Sequence, residues 1–292
     1  MAGLTDNTRG ALLMVGAMTA YTLNDTCMKA LGDELPLMQA MFLRGLGVSL
    51  ILLVWVAARG ELRLSLPRTD RWRLAWRTVG EVLAAWLFLT ALFEIPIANA
   101  IAILQTAPLA VALGAALFLG EPLGWRRFSA ILIGFVGVLV ILRPGTDGFE
   151  PVAVLALLSV LALAMRDLMT RRMGKGLPSL TVALIGGTGV AVFSGIASLG
   201  VDWAPVSLRA VLLLTGSVVF ILGAYVFSVQ VMRVGDIGFV APFRYTSLVV
   251  ALIAGLVVFG DWPDGWTLLG SAIVVVTGLF TLYRERLAAR TG

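Results

Sequence analysis

Long apolar runs separated by short polar segments dominate the chain. Ten of these runs, each of about 18 to 24 residues, are long enough to cross a hydrocarbon core of roughly 30 Å. They are predicted at 8–31, 36–57, 72–94, 97–119, 124–142, 150–170, 178–200, 208–231, 237–260 and 266–283. We interpret them as helices, because a segment in lipid must satisfy its own backbone hydrogen bonds. The pattern predicts an all-α polytopic membrane protein with ten transmembrane helices.

The composition agrees with this fold class. The 292 residues are 59% hydrophobic and 13% charged, whereas the surface of a soluble domain of this size needs far more charge. Asp6 lies just before the first run and Arg9 at its start, and no small-residue cleavage site follows it, so we expect a retained span rather than a signal peptide. The chain has one cysteine, Cys27, and no histidine, the commonest metal ligand. We therefore expect no internal disulfide, metal site or cofactor.

The placement of charge predicts the orientation in the membrane. With the N-terminus in the cytoplasm, most of the 22 basic residues fall on the cytoplasmic side, and only Lys29, Arg143 and Arg209 fall outside. This distribution obeys the positive-inside rule and places both termini in the cytoplasm. The net charge of +5 is thus explained by topology, and we expect no nucleic-acid partner.

Two similar turns indicate an internal repeat. Residues 119–125 read Leu-Gly-Glu-Pro-Leu-Gly-Trp, and residues 259–266 read Phe-Gly-Asp-Trp-Pro-Asp-Gly-Trp, each between two apolar runs. The similarity predicts one repeat of five spans over 1–145 and a second over 146–292. Because five is odd, the second repeat must enter the bilayer upside down, as in many secondary transporters.

Matches near the ends of the first and sixth spans support the repeat. At an offset of 142 residues, Asp25 coincides with Asp167 and Lys29 coincides with Arg171.

Small residues within spans, such as Ala130 and Gly134, are expected to let neighbouring helices approach closely.

These motifs resemble the drug/metabolite transporter superfamily, EamA type. The resemblance is carried by Gly120-Glu121-Pro122 with its Gly260-Asp261 echo, by Asn24-Asp25 and Lys29 in the first span, and by the stretch 42–45, Phe-Leu-Arg-Gly. It implies two five-helix repeats around a central cavity in a bacterial inner membrane, and export of amino acids or related metabolites. The aromatic amino-acid exporters are the most similar branch, although many relatives carry tryptophan where this chain has Tyr21-Thr22.

Charged residues within spans are candidates for gating or coupling, because a charge at bilayer depth is costly unless it faces a partner or a cavity. Asp25 and Arg44 lie at similar depth, which predicts an ion pair with a structural or gating role. Glu81 and Arg244 lie at similar depth in the two halves and are predicted to form a second pair. Glu81 or Asp25 is a candidate proton carrier, with facilitated diffusion as the alternative. Arg166 and Asp167 are predicted to be interfacial.

Uncharged polar and aromatic positions predict the substrate cavity. Prolines at Pro108 and Pro242 mark the fourth and ninth spans, and irregular backbone at membrane depth is tolerated where it lines a cavity. The alternative is helix bending for packing. The aromatic candidates Trp86 and Phe88 in the third span and Tyr225 in the eighth lie in equivalent places in the two halves. The alternative to a cavity role is that they pack against other helices or face lipid. The cavity candidates are Trp86, Phe88, Asn99, Gln105, Pro108, Tyr225, Arg244 and Tyr245.

These observations predict a secondary transporter of small metabolites that works by alternating access. Export of aromatic or other apolar amino acids is the leading hypothesis. The alternatives are uptake of a vitamin or nucleoside-like metabolite, and a flippase for lipids or amphiphiles. An enzyme is not expected, because the usual catalytic sets that contain histidine are missing. The expected partners are a small-molecule substrate and the lipid bilayer, and the oligomeric state is left open.

Overall fold

The computed structural model of the chain describes residues 6–61, 68–121, 123–146, 149–173, 178–231, 234 and 237–291, with backbone alone at 237–238 and 285–291. Within these residues the regular structure is entirely helical. Pro122, which belongs to the first predicted turn, lies outside the described residues. The spans are as follows: span 1 Asp6–Leu31, span 2 Leu37–Ala58, span 3 Arg68–Glu94, span 4 Ile97–Leu119, span 5 Trp125–Leu142, span 6 Ala153–Arg172, span 7 Ser179–Ala197, span 8 Leu208–Val231, span 9 237–259 and span 10 Gly265–Thr291.

The predicted spans are confirmed as helical segments. Nine segments of the described chain are long and apolar enough to cross a membrane. Span 1 is 26 residues long but falls outside this set, because Asn24, Asp25 and Lys29 lower its hydropathy. Span 3 begins at Arg68, four residues before the predicted start. Glu81 therefore lies in the middle of a 27-residue helix and not at its end.

Spans 4 and 9 are broken near their prolines. Span 4 consists of Ile97–Leu104 and Ala107–Leu119, and Pro108 lies in the first turn of the second piece, where its missing N–H needs no partner. Span 9 begins as a short helix, changes to a 3₁₀-helix over Ala241–Tyr245, and returns to an α-helix at Thr246. The irregular backbone predicted for these two spans is thus present in both.

The helix contacts follow a reciprocal pattern. Span 1 packs along span 8, span 6 along span 3, span 2 along span 7, and span 5 along span 10. Exchanging corresponding spans of the two halves (1 with 6, 2 with 7, and so on) leaves this set of pairs unchanged. The predicted division into inverted repeats stays a proposal, and this pattern supports it.

The two similar turns also make reciprocal polar contacts. Gly120 and Gly260 both adopt the left-handed conformation with a φ of 71°, which glycine permits without steric cost. The Glu121 carboxylate beside the first turn lies 3.4 Å from the Arg171 guanidinium at the end of span 6. Asp261 beside the second turn interacts electrostatically with Lys29 near the end of span 1. Each half thus contacts a helix end of the other.

The connections on the face predicted to be external join the halves further. The Gln39 side chain is fully buried, donates a hydrogen bond of 2.8 Å to the Ala204 carbonyl, and accepts one of 2.9 Å from the Ala204 N–H. Glu34 accepts hydrogen bonds from Ser207 and Arg209. The bond from Ser207, followed by that from Arg209, holds the pKa of the Glu34 carboxyl below its usual value.

Small residues set the distance between spans 5 and 10. A Cβ atom added to Gly270 would lie 2.5 Å from the Gly137 carbonyl oxygen and 2.6 Å from Ile141 Cγ1. Ala130 is buried, and a Cβ atom on Gly134 would lie 2.9 Å from Thr277 Oγ1. The expected role of small residues in helix packing therefore holds at this contact.

Substituting Gly270 should separate spans 5 and 10. Gly270→Val should destabilise the protein by about 1–3 kcal/mol, because the added atoms overlap backbone that cannot move aside. Gly265→Val in the same helix is the control, since a Cβ there meets nothing within 4 Å. Thermal unfolding in detergent should show a lower midpoint for Gly270→Val alone. Equal midpoints for the two variants would contradict the proposed close contact.

Candidate substrate site

Polar side chains of spans 1, 3, 6 and 9 converge inside the bundle. Span 1 contacts spans 3, 8 and 9, and span 3 packs along span 6. Tyr21 of span 1 lies at the centre of this region. It forms a side-chain hydrogen bond with Ser228 and interacts electrostatically with Glu81, Arg166 and Asp25.

Glu81 forms the central ion pairs of this region. Its carboxylate lies 3.1 Å from the Arg77 guanidinium, one turn earlier in span 3, and 3.2 Å from the Arg166 guanidinium of span 6. Arg166 also lies 2.8 Å from Asp167. Each of these four side chains is partly shielded from solvent, so their mutual neutralisation matters more than it would at an open surface.

Two predictions about these charges are wrong. Glu81 pairs with Arg166 and not with Arg244, because span 3 packs along span 6 while Arg244 belongs to span 9. Arg166 does not extend to the interface, since its guanidinium turns inward to Glu81. The predicted bridge between the halves therefore exists, but with a different arginine.

Arg244 lies at the break in span 9. Its carbonyl accepts a hydrogen bond of 3.1 Å from Gln105 Nε2, so the Gln105 side chain at the break in span 4 contacts the break in span 9. Its guanidinium has no ion pair among the described residues, and its Nε is buried without a hydrogen-bond partner. It interacts electrostatically with Tyr245 and with Asp167 and Arg166 of span 6.

A second polar group lies nearer the end of span 1 that is predicted to be external. Asn24 Oδ1 accepts a hydrogen bond of 2.7 Å from Ser217 of span 8 and one of 3.5 Å from Arg44 of span 2. Asn24 Nδ2 donates a bond of 2.9 Å to Asp25. The described residues contain no direct ion pair between Asp25 and Arg44, because Asn24 lies between them. The predicted proximity is present, but an amide connects the two charges.

The aromatic candidates are distributed over several environments. Trp86 contacts Phe193, with ring centroids 5.6 Å apart, and Phe88 is buried in the main apolar core. Tyr225 packs against the apolar cluster around Leu52, and its hydroxyl is buried without a hydrogen-bond partner.

The remaining cavity candidates also leave polar atoms unpaired. Tyr245 packs against Gly278 of span 10, and its hydroxyl has no hydrogen-bond partner. Asn99 lies near the start of span 4, and its buried Oδ1 likewise has no hydrogen-bond partner within the described residues. Such atoms are uncommon in folded proteins and are expected where a ligand or water binds.

The site includes residues that the sequence pattern did not identify as functional. Tyr21, Arg77 and Arg166 all face the central region, as their interactions with Glu81 show. The repeat contained a signal for Arg166 and Asp167, since Asp167 coincides with Asp25 at an offset of 142. No comparable signal existed for Arg77, which resembles the many basic residues of the neighbouring loop.

The central region carries an excess of positive charge. Arg77, Arg166 and Arg244 face Glu81 and Asp167, which leaves one positive charge unmatched among the described residues. An unmatched charge at bilayer depth is costly, and a bound anion would remove that cost. The described residues contain no cluster of three or more potential metal ligands. The geometry suits recognition of a carboxylate or similar group.

Comparisons with known proteins agree with this architecture. A riboflavin transporter of Rhizobium johnstonii is 32% identical over 234 residues, covering 77% of this chain and 75% of the relative. Residues 8–143, which contain the first five spans, match the model of the EamA-like transporter family. The chain belongs to the EamA-like transporter family.

Further similarities extend over nearly the whole EamA-like chain. An S-adenosylmethionine uptake transporter of Rickettsia bellii is 27% identical over 276 residues, covering 93% of this chain and 92% of the relative. A protein of known crystal structure aligns with a TM-score of 0.65 and 20% identity, over 96% of this chain and 99% of that chain. The structural match supports the fold alone. Together with the apolar spans, the family assignment identifies a multi-pass membrane transporter of small metabolites.

Removing the amide that connects Asp25 and Arg44 should destabilise this EamA-like transporter. Asn24→Ala removes three hydrogen bonds, one of them to a buried arginine, and should cost about 2–3 kcal/mol. Ser217→Ala removes one of the same bonds and should cost about 1 kcal/mol. Thermal unfolding midpoints of the two variants measure the difference. A loss no larger for Asn24→Ala than for Ser217→Ala would argue against the bridging role.

Proposed function

We propose that this transporter moves small metabolites with a carboxylate beside a flat or apolar group across the bacterial inner membrane. The observation that carries the proposal is that Arg244, within a region of excess positive charge, forms no ion pair among the described residues and keeps its buried Nε without a hydrogen-bond partner there. A substrate carboxylate would neutralise the unmatched positive charge and accept hydrogen bonds from the Arg244 guanidinium. Charge-assisted hydrogen bonds from arginine to carboxylate are among the strongest available for recognition.

Aromatic and tyrosyl groups support the second part of the proposal. The hydroxyls of Tyr225 and Tyr245 have no hydrogen-bond partner among the described residues. Tyr225 interacts electrostatically with Tyr21 and Arg77, which belong to the charged region. An aromatic ring provides a large contact surface for a flat ligand, and a tyrosine hydroxyl adds a polar contact.

The names of the two relatives bear differently on the proposed substrate class. S-adenosylmethionine joins an amino-acid group to a nucleoside, so it has the chemical features of both substrate classes predicted from the sequence, amino acids and nucleoside-like metabolites. Riboflavin has a flat ring system but no carboxylate. Amino-acid export, which the family resemblance implies, stays a prediction, because these two relatives are named for S-adenosylmethionine uptake and for riboflavin transport. Without a coupled ion, an alternating-access carrier moves substrate in either direction, according to its gradient.

The proposed mechanism needs two related halves that alternate around one site. The proposed repeats are 1–145 and 146–292, and they are supported by the reciprocal helix pairs and by the two similar turns. The breaks in spans 4 and 9 meet through Gln105 and the Arg244 carbonyl, which places irregular backbone of both halves at one location. Broken helices of this kind form the binding sites of many transporters with inverted repeats.

Counterflow in proteoliposomes tests the substrate class. Vesicles preloaded with unlabelled S-adenosylmethionine or an aromatic amino acid should accumulate the labelled compound, whereas riboflavin and phenylalaninamide, which lack a carboxylate, should not. Arg244→Gln should reduce counterflow about tenfold or more, because a hydrogen bond to a charged group is lost. Arg126→Gln, which changes an exposed arginine, should retain activity. Riboflavin counterflow without carboxylate counterflow would contradict the proposal.

Asp25 is the better of the two candidate proton carriers. Glu81 contacts two arginines, so a change in its charge would break both ion pairs. Among the described residues, the Asp25 side chain hydrogen-bonds to the Asn24 amide alone, and the charged and titratable groups that interact with it are Arg44 of span 2 and Tyr21 and Cys27 of its own helix. Loss of its charge would break no ion pair in the described structure.

Proton coupling through Asp25 predicts a specific response to pH. Asp25→Asn should make the flux of a transported compound independent of an imposed pH gradient, while flux down the substrate gradient continues. Glu81→Gln should reduce flux at every pH, because Arg77 and Arg166 lose their shared carboxylate. Flux is measured in proteoliposomes with and without the gradient. Unchanged pH dependence in Asp25→Asn would exclude this carrier.

A further inference from the structure

An open groove lies on the outside of spans 3 and 6, away from the substrate site. It has a volume of about 400 Å³ and is lined by Trp72, Arg73, Trp76, Met165, Met169 and Arg172. The Trp72 and Trp76 side chains are 66% and 41% exposed, and their rings meet edge to face at 5.7 Å. Exposed tryptophans with adjacent arginines are typical of the interface between membrane and water.

A basic depression adjoins this groove. It has a volume of about 610 Å³, is lined by Arg68, Arg71, Trp72 and Ala75, and shares Trp72 with the groove. Neither Arg68 nor Arg71 forms an ion pair among the described residues, whereas Arg73 lies 3.1 Å from Asp70. Two arginines without an ion pair in the described part of the chain therefore lie directly beside the groove.

The groove runs from the membrane surface toward the interior. Arg68 and Arg71 lie in the first turn of span 3, and Trp76 lies eight residues after Arg68, or about 12 Å along the helix. On span 6, Met169 and Met165 lie progressively deeper than Arg172. With the predicted topology, the polar end is at the membrane interface and the apolar end extends toward the acyl chains.

We propose that this groove binds an anionic phospholipid. The phosphate interacts with Arg68 and Arg71, and one acyl chain lies along Trp76, Met165 and Met169. The choice of an anionic lipid follows from charge complementarity, since the face predicted to be cytoplasmic meets the membrane's anionic headgroups. A zwitterionic lipid would leave the arginines without a matching net charge.

The lipid site lies behind the ion pair that joins the two halves. Trp76 immediately precedes Arg77, and Met165 immediately precedes Arg166, so the same two helices carry the groove and the pair with Glu81. A bound lipid contacts both helices on their outer side. It should therefore stabilise the packing of span 3 against span 6.

Native mass spectrometry of the full chain in detergent tests this proposal without reference to transport. Phosphatidylglycerol should be retained in preference to phosphatidylcholine, and Arg68→Gln with Arg71→Gln should reduce that preference by about fivefold for each arginine. The matched control is Arg59→Gln with Arg126→Gln, because both arginines stack on a tryptophan outside the groove. This control should keep the preference.

Thermal unfolding with each lipid provides a second readout. Phosphatidylglycerol should raise the unfolding midpoint of the unsubstituted protein and of the control variant, but not that of the Arg68/Arg71 variant. Equal retention of the two lipids, or equal loss in both double variants, would overturn the proposal. Transport specificity plays no part in either measurement, so these outcomes are distinct from those of the counterflow test.

Discussion

Neutralisation of charge inside the bilayer is the constraint on which the rest of the structure depends. Glu81 contacts Arg77 on its own helix and Arg166 on a helix of the other half. Removing one partner of a buried pair costs more than the pair itself contributes, because the remaining charge stays desolvated. Spans 3 and 6 must therefore stay close enough to maintain this contact. The position of the charged region between the halves follows from that requirement.

The backbone at the breaks in spans 4 and 9 is subject to the same constraint as the buried charges, since its polar groups also need partners. A broken helix exposes polar groups that lipid cannot satisfy, so it must face protein or a cavity. Here the Gln105 side chain donates a hydrogen bond to the Arg244 carbonyl, while the buried Arg244 Nε has no hydrogen-bond partner among the described residues. One polar group at the break is thus satisfied within the protein, and under the proposed function the charge of Arg244 is matched by the substrate.

The fold was predictable because hydrophobic run length and basic-residue placement are strong signals in a membrane protein. The spans, the breaks marked by Pro108 and Pro242, and the proximity of Asp25 to Arg44 all followed from local pattern. The choice of ion-pair partner for Glu81 did not follow from that pattern. Glu81 and Arg244 lie at similar depth, but depth does not specify which helix faces which, and the pairing of span 3 with span 6 decides the contact.

The site was less predictable for a related reason. Arg166 and Asp167 lie six and five residues from the end of their helix, and a long side chain at such a position can extend to the interface or turn inward. Only the facing carboxylate of Glu81 determines which happens. Tyr21 carried no charge and so gave no signal, although it lies where three spans meet.

A double-mutant cycle on Glu81 and Arg166 tests the central claim most directly. Stability in lipid nanodiscs is measured for Glu81→Gln, Arg166→Gln and the double variant, which leaves Arg77 and Asp167 with balanced charges. A pair that joins the halves predicts a coupling energy of about 2 kcal/mol or more, with the double variant more stable than the sum of the single effects implies. A coupling energy near zero would show that the two side chains act independently, and would contradict the account.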